Sequence, residues 1–468
     1  MTTSLVSSNT NSFVKSTNKQ LENYSLVWLD ESVNENPEIE DKLRSVIDQL
    51  EKFQAMKECQ EYIEQKSRTD RIVLIVSGQF GKQFVPIIHK FRQIISIYIY
   101  CVITKLCDLL SQIKADHKIE RKVEEPLPIC IFNFNKSEDS VIAAGNHQFV
   151  FKQTFIDLLL RLKYTETDKN ELINRLKKQF KDNPIELNNI SKFEQDYTSD
   201  TALEWYTKKT FFYKTLNAAL RDENLHMIFL YRSYIYDIHC QLEENENKHI
   251  LKVYRGQMIT TDALAILKKS IDQFICINSF FSTSYLYKQA CVFLRLSNIL
   301  ERVIFEIEID PKKENIKPFA DISKHSVYTK EAEVLFMIGS VFQIKSINRS
   351  QDDNISTIKL ILSNASEYDS KQIHKQRNSS REIDLRTLAQ FLFIEGKVDL
   401  AKKYFIRSIN ETSINDPICA DLYDDLSRLA SKTCDYETSF QYLHRSIQCR
   451  QQFNNSTIGK TSKLTSKC

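Results

Sequence analysis

Ser326-Val327-Tyr328-Thr329-Lys330-Glu331-Ala332-Glu333-Val334-Leu335-Phe336 carries a polar, acidic loop into an apolar, strand-forming run. Glu333 opens that run, so a strand fixes its position. On an extended backbone residues i and i+2 share a face, which predicts Glu331 and Glu333 side by side in one cleft. An isolated pair of this kind more often marks the solvated face of an edge strand. Two earlier segments change the weighing. Lys252-Val253-Tyr254-Arg255-Gly256 ends one strand-like run, and Asn278-Ser279-Phe280-Phe281-Ser282-Thr283-Ser284 follows another. Arg255 precedes Ser282 by 27 residues, and Ser282 precedes Glu331 by 49. From about Lys248 to 365 the chain alternates apolar and polar residues in short runs, at 250–254, 274–277, 303–309, 333–337, 341–347 and 357–362. Such alternation predicts antiparallel strands.

In this order the three segments resemble the R-S-E signature of arginine-specific NAD:protein ADP-ribosyltransferases. The resemblance spans about Thr201 to Leu362. Each motif alone is weak, and the ordered trio carries the specificity. Upstream, Ala202–Thr207 and Leu216–Arg221 resemble that family's helical lobe. The resemblance implies a central α+β ADP-ribosyltransferase fold, a helical lobe plus a mostly antiparallel β sandwich. It implies a mono-ADP-ribosyltransferase that cleaves NAD, or NADP, at the nicotinamide–ribose bond, without a metal, and passes ADP-ribose to an accessible arginine of a protein. Glu333 would then offset the oxocarbenium-like charge and bond the ribose hydroxyl. Glu331 would orient or deprotonate the acceptor guanidinium, whose pKa above roughly 12 makes it a poor nucleophile. Arg255 offers a planar fork to the diphosphate. Gly256 lets the backbone approach nicotinamide. Ser282 orients the glutamate and the ribose, and Tyr328 stacks on the target guanidinium.

Two other readings stand beside this one. The same site serves an NAD glycohydrolase when water replaces arginine. A catalytically silent scaffold would bind partners through C-terminal repeats, although intact Arg255, Ser282 and Glu333 weigh against it.

The chain of 468 residues is long enough for several domains. The whole is read as multidomain α+β. Residues 1–20, rich in Ser, Thr and Asn and lacking an apolar core, read as disordered and not as a signal peptide. Residues 21–165 form the next unit. In it, Tyr24–Asp30, Arg71–Gly78 and Ile94–Cys101 read as strands, with helices at about 37–64 and 82–93 and one further strand at 128–134. That order resembles a receiver-like α/β domain. No aspartate ends its third strand and no G-x-G-x-x-G follows its second, so phosphotransfer and dinucleotide binding are not expected of it. The ADP-ribosyltransferase domain is placed at 166–366 and a polar linker at 367–381. A repeat at 382–453 brings Leu388 back as Leu426 and Gly396 as Cys434, an offset of 38 residues. It resembles tetratricopeptide helical hairpins, which bind partner proteins. A polar tail at 454–468 reads as disordered.

With 64 Lys and Arg against 61 Asp and Glu, the formal net charge of +3 predicts no general affinity for nucleic acid or an anionic membrane. The 11 cysteines show no C-x-x-C pair, and several lie in apolar runs. Buried free thiols and a cytoplasmic location are the expectation.

Overall fold

The computed structural model describes residues 24–35, 40, 43–44, 49–66, 71–88, 91, 94–100, 129–133, 140–208, 210–246, 252–294, 300–310, 312–313, 316–327, 331–350, 353–364, 383–413 and 416–465. The segment 1–20, the linker 367–381 and Tyr328 lie outside the described residues. The chain divides into two compact units, residues 1–120 with 174–195, and residues 121–173 with 196–468.

In the first unit, β1 (Tyr24–Leu29), β2 (Gln49–Phe53), β3 (Arg71–Ser77) and β4 (Ile94–Tyr100) form one sheet in the order β2-β1-β3-β4. Every pairing is parallel. Helices α1 (Met56–Gln65) and α2 (Gly78–Ile88) belong to the same unit. The unbroken apolar run Ile72–Val76 is buried throughout, as a central parallel strand requires. The helix expected over 37–64 is corrected. Residues 49–53 are a strand, and Met56 begins the helix. Pairing with β1 satisfies the main chain of 49–53 and buries Leu50, and this tertiary gain outweighs local helical periodicity. Asp30, just past β1, accepts hydrogen bonds from Tyr100 and from both the main chain and the hydroxyl of Ser32.

The second unit opens with β5 (Ile129–Phe132). This is the strand expected at 128–134, but it pairs antiparallel with a strand of the second sheet instead of extending the first. Phe132 stacks on Phe149 at 3.9 Å and lies 5.8 Å from Phe274, in an apolar cluster with Cys130 and Cys276. That burial fixes the choice of partner. Along the chain follow α3 (Ser140–Arg161), α4 (Glu166–Gln179) and α5 (Pro184–Asp196), of which residues 174–195 belong to the first unit, and then, in the second unit, α6 (Ala202–Thr207), α7 (Phe211–Arg221), α8 (Leu225–Leu230) and α9 (Arg232–Glu244). Then come β6 (Lys252–Thr260), α10 (Thr261–Lys269), β7 (Phe274–Ile277), β8 (Phe281–Ser284), α11 (Tyr287–Cys291), β9 (Leu300–Glu308), β10 (Phe319–Asp321), β11 (Glu333–Phe336), β12 (Ser340–Arg349) and β13 (Ile355–Ser363).

These strands run in the order β10-β11-β8-β6-β9-β13-β12-β7-β5, with only β9 and β13 parallel. The junction of β8 with β6 consists of one pair, Tyr254 with Ser284. On either side of it the halves pack face to face: Phe342 of β12 lies 5.7 Å from Phe281 of β8 and 5.5 Å from Phe336 of β11. The arrangement is a mostly antiparallel sandwich whose two sheets remain joined at one corner. The sparse hydrogen bonding there leaves a cleft between the strands that bear Arg255 and Ser282.

Four helices end the chain, α12 (Leu385–Ile394), α13 (Val398–Glu411), α14 (Ile418–Lys432) and α15 (Tyr436–Thr465). Gly396 lies between α12 and α13 and Cys434 between α14 and α15, and both adopt left-handed φ, +73° and +60°. The tail expected to be disordered from Asn454 is instead the continuation of α15 to Thr465. Extending a formed helix costs far less than nucleating one, so a polar sequence without proline can prolong it. Asp168 and Glu171 of α4 pair with Arg407 of α13 at 2.5 and 2.7 Å, and Asp168 also bonds Arg232. Asp168 and Arg232 are each only 2% exposed in their side chains, so their charges stand or fall as a set. Among the described residues, no helix is long and apolar enough to cross a membrane.

Candidate active site

Glu333 is the first residue of β11, and Leu335 pairs with Ser282 in the register of β11 on β8. Thr283 locks the two strands further by donating to the Val334 carbonyl at 2.8 Å. Within this frame the Ser282 hydroxyl donates to Oε1 of Glu333. The bond holds the carboxylate as an acceptor and restricts its rotamers before any ligand arrives.

Arg255 reaches the same place from β6. Its Nη1 donates to the Ser282 carbonyl at 2.7 Å, while Nε and Nη2 donate to Oε1 of Gln257 at 3.3 and 3.1 Å. The guanidinium carbon lies 5.1 Å from the Phe281 ring centroid. Arg255 thus braces β6 against β8 where their main-chain pairing is sparsest. Gln257, fully buried, escapes sequence reasoning because a lone Gln carries no motif. Its position two residues after Arg255, on the same strand face, is the signal that finds it.

The expected extended backbone from Glu331 to Glu333 is not found. Ala332 between them has φ +48°, in the left-handed region. A non-glycine residue there costs on the order of 1–2 kcal/mol and persists only where its surroundings impose it. Here the Ser284 hydroxyl donates to the Glu331 carbonyl at 2.9 Å, and Ala332 is 4% exposed. The turn still brings both half-buried carboxylates to one cleft, by a kink and not by strand alternation.

That cleft, about 820 Å³, is lined by Arg255, Gly256, Ser282, Glu331 and Glu333. It is also lined by Tyr206, Thr207, Tyr213, Gln289, Ala290 and Phe293, which the motifs do not mark. Tyr206 packs on Tyr213 at 5.4 Å and on Phe280 at 4.9 Å. Burial holds its phenol well above the ordinary tyrosine range, so it stays protonated at neutral pH. The helical lobe therefore supplies an aromatic wall. Tyr328 lies outside the described residues, next to Val327, whose main-chain N–H donates to the Thr207 hydroxyl at 3.4 Å. Among the described residues, no group of three or more His, Cys, Asp or Glu could hold a metal ion.

Gly256 has a steric reason that the sequence does not show. A Cβ there would stand 2.0 Å from the Ala290 carbonyl oxygen. That atom is main chain of α11 and cannot swing aside as a side chain would. Gly256→Ala is expected to push α11 off β6 and to cost about 1–3 kcal/mol, read as a lower Tm. An unchanged Tm would show that the contact is relaxed in solution.

Residues 170–366 match the family model described as ADP-ribosyltransferase exoenzyme. No curated protein matches the chain. Among solved structures, the chain is similar to the Vis toxin, an ADP-ribosyltransferase from Vibrio splendidus, at 24% identity over 45% of this chain and 91% of that one, with a TM-score of 0.29. It is similar to the ADP-ribosyltransferase HopU1 of Pseudomonas syringae at 17% identity, over 46% and 97% of the two chains, with a TM-score of 0.28. For the Clostridium limosum C3 exoenzyme the values are 15% identity, 37% and 88%, and 0.28. Over residues 170–366 the chain thus matches the ADP-ribosyltransferase exoenzyme family, and Arg255, Ser282, Glu331 and Glu333 all fall within that match.

Proposed function

We propose that residues 166–366 are a mono-ADP-ribosyltransferase that cleaves NAD and transfers ADP-ribose to an arginine of a protein. The observation that carries this reading is the Ser282–Glu333 hydrogen bond in a cleft that also holds Arg255 and Glu331. In the reaction the bond between ribose C1 and the nicotinamide nitrogen breaks, and its electron pair leaves with nicotinamide. The positive charge that grows on the ribose is offset by Glu333, held in place by Ser282. A guanidine nitrogen of the acceptor then bonds to C1 and gives its proton to Glu331. Arg255, which lines the cleft and bonds Ser282 and Gln257, supports the diphosphate and the strands at once. NADP would use the same contacts, with its extra phosphate as the only difference.

The helical hairpins are proposed to recruit a protein partner. Tyr436, Phe440, Leu443 and Ile447, spaced four, three and four residues apart on α15, are each at least 44% exposed, so they form an apolar stripe left open among the described residues. Intracellular action in the cytoplasm belongs to the same proposal and rests on the buried, unpaired thiols. Cys276 is pushed up to about 12 and Cys130 to about 11, with burial as the leading cause.

Incubating the full chain with NAD and agmatine tests the central claim. Nicotinamide and an ADP-ribosyl-agmatine adduct are expected in equal amounts by chromatography. Nicotinamide without adduct would replace transfer by hydrolysis. Neither product, with no NAD binding by calorimetry, would reject the enzyme.

A further inference from the structure

Tyr285, Leu286 and Tyr287 follow β8 in direct succession and are 45%, 46% and 44% exposed. Single exposed apolar side chains are common, but three in a row are a cost that calls for something to cover them. Their place in the fold narrows what that is. The Tyr285 main-chain N–H donates to the Ala332 carbonyl at 3.4 Å, so Tyr285 stands against the turn between Glu331 and Glu333. The Ser284 hydroxyl accepts from the Leu286 N–H at 3.1 Å and donates to the Glu331 carbonyl at 2.9 Å, so one oxygen ties the two main chains. Tyr287 opens α11 and sets its ring edge-on to Tyr254 at 5.3 Å, and Tyr254 lines the cleft. These contacts hold the run at the rim of the cleft, on the side of Glu331.

An acceptor arginine that reaches Glu331 must carry its neighbouring residues past this rim. Charge narrows the chemistry of those neighbours. From Phe281 to Leu294 the one charged residue is Lys288, an exposed cation, so this side repels a basic flanking sequence. Large apolar side chains beside the arginine would instead bury surface against Tyr285 and Leu286. Exposed apolar patches with aromatic members are the kind of surface that recognises a protein partner.

We propose that Tyr285, Leu286 and Tyr287 form a docking rim that selects acceptor arginines flanked by large apolar residues over arginines in basic or small polar sequence. The inference rests on the transferase reading and names the class of protein acceptor that the site uses. It adds no bond-making step. The rim acts on residues beside the arginine, so a small free guanidine gains nothing from it.

The test gives the full chain NAD with agmatine, with the peptide acetyl-Gly-Phe-Arg-Leu-Gly-amide, or with the same peptide carrying Ser, or Lys, in place of both Phe and Leu. Adducts are measured by mass spectrometry as kcat/KM. The apolar peptide is expected to exceed the other two by at least about tenfold, the worth of burying part of two large apolar side chains. Tyr285→Ser and Leu286→Ser should each remove most of that advantage, chiefly through KM, and leave the agmatine rate within about twofold of native, as surface changes do. Two variants are used so that a folding defect in one, seen as a lost agmatine rate, leaves the other decisive. Equal kcat/KM for the three peptides while agmatine is modified would overturn the docking rim and leave the transferase reading standing. A preference for the apolar peptide that survives in both variants would overturn it too, because the selection would then lie elsewhere. Absence of the agmatine adduct in native protein would reject transfer itself, and this inference with it.

Discussion

Glu333→Gln is expected to slow nicotinamide release from NAD by about 10²–10³-fold, roughly 3–4 kcal/mol of barrier, while Tm stays within a few degrees. The size follows from what the substitution changes. Glutamine is nearly isosteric, and its Oε1 can accept the Ser282 proton as Glu333 does now. The strand pairing of β11 with β8 depends on main chain and on Thr283, which the change does not touch. Only the negative charge facing the growing oxocarbenium is lost, so the damage falls on the transition state and not on the fold. It should therefore appear in kcat far more than in KM. Kinetics of native and variant protein at saturating NAD, with a thermal melt of each, check this. A rate within a few-fold of native would move the catalytic charge elsewhere in the cleft, and Glu331 would be the first place to look.

Of the strands that bear the candidate residues, β11 was legible as a short apolar run at 333–337, whereas β6 was expected to stop near Gly256 and runs on to Thr260, and β8, the polar stretch Phe281–Ser284, was not among the expected strands. What holds those side chains was less legible. Gln257 fixes two nitrogens of Arg255, yet a buried glutamine looks like any other until its partner is known. Gly256 lines the cleft, and it also spares the Ala290 oxygen, brought near by a helix some thirty residues later in the chain, which no local pattern reveals. The left-handed turn at Ala332 leaves no trace at all, since alanine is the residue least associated with φ above zero. At a larger scale, β2 was masked by helical periodicity, because pairing with β1 is a non-local gain. For β5, the strand was visible but the sheet it joins was not. Its choice rests on Phe132 meeting Phe149 and Phe274, contacts that no local pattern encodes.

Glu331→Gln is expected to separate transfer from cleavage. Formation of the agmatine adduct should fall by at least about 10²-fold, the usual worth of a positioned general base, while nicotinamide release stays within a few-fold of native. The reason lies in the order of events. Bond cleavage needs charge at the ribose, which Glu333 supplies. Capture by arginine needs a neutral nitrogen lone pair, and a guanidinium with a pKa above roughly 12 has almost none at neutral pH. Its proton must leave as the new bond forms, and Glu331 is the second carboxylate on the cleft wall. The backbone supports that division of labour. The Ser284 hydroxyl holds the Glu331 carbonyl, and the Ala332 turn breaks the strand between the two acids, so they need not share one direction. Water, already weakly nucleophilic without a base, would capture the cation when Glu331 is neutralised, and the variant would become a hydrolase. If both products fall together, the two carboxylates act as one unit on the dinucleotide, and the acceptor's base must be sought outside the residues named here.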